Sequence, residues 1–329
     1  MKKPSFVENR GSNSSRVHCL IVCAVGVVIL SWIPGSGNKL LAATAPSIVQ
    51  CSSVPSKILN RPVGYCIDLP ADYASSAPKR YPTLYFLHGL FDNDHRWVDR
   101  GGKAIFDKLT AEGKIGQMLV VMPDARDTFY VNAKDGKDPY EDFFIQEFIP
   151  YIDNHYRTIP TREARGISGL SMGGYGALHL AMSHPDLFGT VTAHSAVLLT
   201  DFPNPIPTTG RWGFYARILS HAFGSPLSQA YWEENSPLTL ARNPAKFQGL
   251  RIYFDAGTHD RYGFEKGAAI LDEILNKENY PHVYALRPGG HGWPFLDKYM
   301  NFSLEYQWHW FKKAEESSNV SASAEAGEH

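Results

Sequence analysis

Arg165-Gly166-Ile167-Ser168-Gly169-Leu170-Ser171-Met172-Gly173-Gly174-Tyr175-Gly176-Ala177-Leu178 is the stretch that decides the fold. It opens on a short β-prone run, turns at Gly169-Leu170-Ser171-Met172-Gly173, and continues into small and apolar residues suited to a helix packed close to a sheet. A serine lifted clear of a sheet on a tight strand-to-helix turn needs neighbours without Cβ atoms, which Gly169 and Gly173 supply. The helix that follows points its positive N-terminal end at Ser171. In a chain with 28 Gly, a glycine-flanked serine alone is weak, and a capping serine in a glycine turn is its bland alternative. The strand before it and the helix after it carry the reading.

Outward from this turn, the chain from residue 62 alternates short β-rich runs with longer helical patterns, the signature of an α/β fold with a mostly parallel sheet covered on both faces. Strands are expected at 63–69, 83–87, 118–122, 165–168, 190–194, 251–254 and 282–286, and helices at 142–154, 175–183, 271–276 and 293–312. Residues 199–249 interrupt the alternation, first with Pro203, Pro205 and Pro207, then with Trp212, Phe214, Tyr215, Tyr231 and Trp232. They read as a helical insertion over one edge of the sheet, serving either as a lid or binding element or as plain packing.

A serine nucleophile needs a base, and after a strand–Ser–helix turn the partners follow in the order acid, then histidine. Of His282, His291, His309 and His329, only His291 sits in a loop, within Pro288-Gly289-Gly290-His291-Gly292-Trp293, between a strand end and the last helix. The acid lies in Asp255-Ala256-Gly257-Thr258-His259-Asp260. Asp260, deeper in the loop, is favoured over Asp255, which is expected to bond loop amides. An acyl-transfer intermediate also needs two backbone donors. The Met172 amide, directly after the nucleophile, is one. The Leu90 amide, after Leu87-His88-Gly89, is the other, with His88 and Gly89 shaping the loop.

These segments resemble the esterase branch of the α/β hydrolases, which includes tributyrin esterases, S-formylglutathione hydrolases, feruloyl esterases and mycolyltransferases. The resemblance rests on Tyr85-Phe86-Leu87-His88-Gly89, Phe148-Ile149-Pro150-Tyr151-Ile152, Gly169 to Gly174, Gly257 with Asp260, and Gly289-Gly290-His291, and covers roughly residues 60–312. It implies an α/β-hydrolase fold, a Ser171–Asp260–His291 triad, donors at Leu90 and Met172, and no cofactor. The expected function is a serine carboxylesterase acting on short or aromatic acyl esters. An acyltransferase with the same residues, or a non-catalytic envelope or carbohydrate-binding module of the same fold, are the rivals.

Composition agrees with such an enzyme. Hydrophobic residues make up 43% of the 329, enough for a sizeable core, and 32 Lys plus Arg against 33 Asp plus Glu leave a net charge of -1. That balance gives no reason to expect nucleic acid as partner; a small-molecule or sugar-linked ester is expected. Phe91 and Trp97 are candidates to line the acyl pocket, with Phe129 and Tyr130 nearby. Asp92-Asn93-Asp94-His95 reads as a turn, and no metal site is assigned.

Lys2, Lys3, Arg10 and Arg16 precede an apolar run at 19–33, followed by Ala42, Ala43 and Ala45. This is a secretory signal pattern over 1–45, placing the protein outside the cytoplasm, secreted or periplasmic. An uncleaved anchor is the alternative, and would make the membrane a partner. Beyond the signal only Cys51 and Cys66 remain, and export with an even count suggests one disulfide between them, two separate buried thiols being the alternative. Residues 46–314 form the catalytic domain, and 315–329, rich in Ser, Ala and Glu, read as a disordered tail.

Overall fold

A computed structural model of the chain describes residues 45–200, 202–203 and 205–326, with 315–326 as backbone alone. The signal pattern, apart from Ala45, lies outside the described residues. In chain order the strands are β1 (Ile48–Ser56), β2 (Arg61–Leu69), β3 (Thr83–Leu87), β4 (Leu119–Pro123), β5 (Arg165–Leu170), β6 (Thr190–His194), β7 (Arg251–Gly257) and β8 (His282–Arg287). The helices are α1 (Arg96–Asp99), α2 (Gly102–Ala111), α3 (Tyr140–Phe143), α4 (Ile149–His155), α5 (Met172–Ser183), α6 (Gly210–Phe223), α7 (Gln229–Asn235), α8 (Pro237–Leu240), α9 (Phe264–Lys277) and α10 (Trp293–Ala326).

The strands form one sheet in the order β1-β2-β4-β3-β5-β6-β7-β8. β1 and β2 pair antiparallel, as do β2 and β4; every pairing from β4 to β8 is parallel. β3 and β5 are buried at every residue, which is why Thr83-Leu84-Tyr85-Phe86-Leu87 reads as a continuous apolar run rather than an alternation. Tyr85, Phe144, Phe148 and Tyr175 pack on one face, and Phe86, Trp97, Leu296, Met300 and Phe311 on the other. The α/β-hydrolase architecture is as expected. The C-terminal ends of the six parallel strands lie at one edge, where an open α/β sheet builds its sites.

Four departures from the sequence reading have physical causes. β1 is unexpected because most of its side chains are exposed and its Ser-rich sequence carries no apolar alternation; it is held by nine register pairs with β2, from Ile48↔Leu69 to Ser56↔Arg61. The helix expected at 142–154 spans Tyr140–His155 but widens into a π-turn at Phe144–Phe148. Pro150 has no N–H to donate to the carbonyl four residues back, and the wider turn accommodates it. The helix expected at 271–276 starts earlier, at Phe264. The last helix passes residue 312 and continues to Ala326, through most of the tail expected to be disordered. Ala and Glu are strong helix formers, and neither Pro nor Gly interrupts the run before Gly327.

Cys51 and Cys66 form a disulfide between facing residues of β1 and β2, so the two-thiol alternative falls. Within the insertion, Trp232 packs its ring 5.0 Å from Tyr175 of α5, and Phe223 packs 6.0 Å from the same ring. The insertion therefore covers α5 as packing, while α6 also reaches the edge where the strands end. Among the described residues no helix is long and apolar enough to cross a membrane.

Candidate active site

Ser171 stands between β5 and α5 with φ 59°, a left-handed conformation uncommon for a residue with a side chain. The turn is tight enough that a Cβ on Gly169 would meet the Gly173 carbonyl oxygen at 2.2 Å, and one on Gly173 would meet the Leu87 carbonyl oxygen at 2.0 Å. The two glycines are thus required by space, as the sequence suggested. The Ser171 N–H donates to the His194 carbonyl at 2.8 Å, and the Ser171 carbonyl accepts from the Val197 N–H at 3.2 Å. These bonds hold the strained residue against the end of β6.

The loops after β7 and β8 meet over it. Thr258 N–H donates to the Arg287 carbonyl and His259 N–H to the Gly289 carbonyl, each at 2.8 Å, and a Cβ on Gly257 would lie 2.2 Å from the Gly290 carbonyl oxygen. This contact brings Asp260 Oδ2 to 2.7 Å from His291 Nδ1, and His291 Nε2 to 3.0 Å from Ser171 Oγ. The second Asp260 oxygen accepts the Tyr262 N–H at 2.9 Å, so the buried carboxylate has both oxygens occupied. The rings of Tyr262 and Phe264 stand edge-on to the imidazole at 4.9 and 5.4 Å between centroids, fixing its plane. The structure brings Ser171, Asp260 and His291 together in the order of contact a serine nucleophile requires.

Asp255 does something else. Its carboxylate binds His194 Nδ1 at 2.8 Å and accepts the Tyr253 hydroxyl at 2.8 Å, with Arg287 Nε at 3.6 Å, rather than bonding loop amides as expected. His194 Nε2 lies 2.9 Å from Ser303 Oγ on α10. This fully buried Asp255–His194–Ser303 string lies beneath Ser171, whose amide is bonded by the His194 carbonyl. The sequence carried no signal for it, because its members come from β6, β7 and α10 and share no motif.

The loop after β3 passes beside the serine: a Cβ on Gly89 would come 3.7 Å from Ser171 Cβ. His88 pins it. Its Nε2 accepts the Ala125 N–H at 2.9 Å, so Nδ1 carries the proton and donates to the Gly89 carbonyl at 2.8 Å. Among the described residues neither the Leu90 nor the Met172 amide donates to a backbone carbonyl of a turn or loop. Asp92-Asn93-Asp94-His95 makes the expected turn, with Asn93 Oδ1 accepting the His95 N–H at 3.0 Å.

A cleft of about 200 Å³ opens over Ser171 and His291. Phe91 lines it, 78% exposed and held at φ 68°, and Phe129 contributes to the wall. Trp97 does not line it. Its side chain is 1% exposed in the core beneath, 4.9 Å from the Phe86 ring, with its N–H donated to the buried Asp68 carboxylate at 3.1 Å. α1 turns it inward, and an indole N–H is buried only where a partner accepts it. Tyr130 is likewise buried, its hydroxyl donating to the His88 carbonyl. Phe214 and Ile218 of the insertion, with Arg261, Tyr262 and Trp293, complete the cleft. Of these, the insertion's aromatic run was the one sequence signal.

This geometry has relatives. An esterase of Mycobacterium tuberculosis is 29% identical over 250 residues, covering 69% of this chain and 52% of the relative. The chain thus spans about half the length of that relative. An acetyl esterase of Caldicellulosiruptor saccharolyticus is 27% identical over 232 residues, covering 68% of this chain and 82% of the relative. Among solved structures, a ferulic acid esterase superposes with a TM-score of 0.68 at 28% identity, covering 81% of this chain and 99% of that one. The family model described as "Putative esterase" matches residues 56–300. That match takes in β2 through the first turns of α10, with the serine turn and both partner loops inside it, and the chain belongs to the Esterase family.

Proposed function

We propose that the protein is an exported serine carboxylesterase, cleaving short or aromatic acyl esters through an acyl-enzyme on Ser171. The observation that carries this reading is His291 Nε2 at 3.0 Å from Ser171 Oγ, with Asp260 at 2.7 Å behind the imidazole. As Ser171 Oγ attacks the ester carbonyl, His291 Nε2 takes its proton, and Asp260 stabilises the imidazolium and holds Nδ1–H toward itself. The carbonyl oxygen, gaining negative charge, is received by the Leu90 and Met172 amides. His291 then protonates the departing alkoxide. Water enters, loses a proton to His291, attacks the acyl carbonyl, and releases the acid and Ser171. The aromatic cleft walls, and similarity to acetyl and ferulic acid esterases, support acyl groups of that range. The basic, apolar and small-residue order of 1–45, and a disulfide at Cys51–Cys66, support export.

The test is hydrolysis of p-nitrophenyl esters from acetate to laurate, plus the ferulate, by the protein lacking 1–45 and by its Ser171→Ala variant. Wild-type turnover should peak at one acyl group and fall by about 10⁴-fold or more in the variant. Absence of any Ser171-dependent release, with or without an added sugar alcohol as acceptor, would overturn the reading. Ester formation on the acceptor in preference to hydrolysis would identify an acyltransferase.

A further inference from the structure

Away from the cleft, one cluster among the described residues gathers soft and imidazole donors from three segments: Cys51 of β1, Cys66 of β2, and His95 in the turn before α1. Their donor atoms lie within 4.8 Å of one another. His95 Nδ1 is 3.9 Å from Cys51 Sγ and 3.7 Å from Cys66 Sγ. The other ring nitrogen, Nε2, faces Asp94 Oδ1 at 3.8 Å. Asp94 is buried against β2, where a Cβ on Gly64 would come 3.0 Å from its Oδ2. His95 Nδ1 thus faces both sulfurs, the geometry of an imidazole and two sulfur ligands converging on one point.

We propose that reduction of the Cys51–Cys66 disulfide converts this cluster into a site for one thiophilic cation of the Zn²⁺, Cd²⁺ or Cu⁺ class, held by both sulfurs and His95 Nδ1. The reductant is a dithiol. Its two electrons break the sulfur–sulfur bond, its two protons pass to the cysteine sulfurs, and it closes to its own disulfide. Cation binding then releases both thiol protons to water, because the thiolate is the ligand. Disulfide and cation are mutually exclusive occupants of the same sulfurs. Two sulfurs and one imidazole, with no oxygen donor, select against Mg²⁺ and Ca²⁺. The backbone pairing of β1 with β2 keeps the sulfurs side by side after the covalent bond is gone. The three ligands share no sequence spacing, which is why no motif announces them.

The test titrates Cd²⁺ into the reduced protein, freed of dithiol under anaerobic conditions, and into the oxidised protein. The reduced protein should bind one equivalent, with a thiolate-to-metal absorption band that excess Mg²⁺ does not displace, and the oxidised protein none. His95→Ala should weaken binding at least tenfold, because it removes one of the three ligands. Circular dichroism reports whether reduction preserves the fold. The proposal fails if the reduced protein takes up no Cd²⁺ or unfolds, if the oxidised protein binds equally, or if His95→Ala binds as tightly as the wild type.

Discussion

Asp260 and Asp255 lie on one strand and its loop, yet their partners separate them into different kinds of residue. The Asp260 carboxylate bonds His291 and a loop amide at the cleft, whereas Asp255 is buried in a string that ends on α10. Asp260→Asn should leave the melting temperature near wild type and lower kcat by about 10⁴-fold, because an amide cannot hold the imidazole in its working tautomer. Asp255→Asn should instead cost about 1–3 kcal/mol in a urea titration, as expected when a buried hydrogen-bonded network loses one of its acceptors. A second contrast separates the two aromatics proposed for the pocket. Phe91→Ala, at an exposed position on the rim, should raise KM for aromatic esters several-fold without changing stability. Trp97→Ala should lose about 3–5 kcal/mol of stability through its cavity and leave KM unchanged in the folded enzyme. A raised KM in Trp97→Ala, or none in Phe91→Ala, would reverse the assignment made from their burial.

At the scale of elements, the joint between α3, α5 and α7 is made by few polar atoms. Glu141 of α3 binds His179 Nε2 at 2.8 Å and His184 Nε2 at 2.7 Å, and His179 Nδ1 donates to the Asn235 carbonyl of α7 at 2.8 Å. Burial alone would raise the Glu141 carboxyl, but its two histidine partners outweigh that and hold it at about 2, against an ordinary 4.5. The folded value lies below the unfolded one, so its contribution is complete above about 4.5 and is lost as pH falls toward 2. Urea midpoints should therefore drop across that window more steeply in wild type than in Glu141→Gln, which is less stable than wild type at neutral pH and converges on it in acid. Parallel curves for the two proteins would remove Glu141 from the joint. The motif-bearing elements were legible in sequence because each reported its own period or turn chemistry. β1 was not, since its stability comes from β2 rather than from its own side chains, and α10 was read too short because composition was weighed over helix propensity.

Across the whole molecule, the disulfide fastens the antiparallel edge where the described fold begins. It joins residues 15 apart, and a loop of that length is worth about 3 kcal/mol through the unfolded chain. Cys51→Ser with Cys66→Ser should lower unfolding free energy by about 2–4 kcal/mol while Ser171-dependent turnover at 25 °C persists. Loss of turnover in the folded double variant would mean that this edge shapes the cleft. By itself the sequence determined the α/β class, the serine turn, His291 as the histidine that reaches it and the loop whose aspartate meets that histidine. Those are local facts: glycines that a tight turn requires, an apolar run that a buried strand requires, and an order along the chain. Only tertiary structure decided that Asp260 rather than Asp255 meets His291, that Phe91 faces the cleft while Trp97 faces the core, and that Cys51, Cys66 and His95 share one spot. Each of those depends on which way a side chain points once distant segments pack, and a one-dimensional pattern carries the period of an element but not the direction of its neighbours.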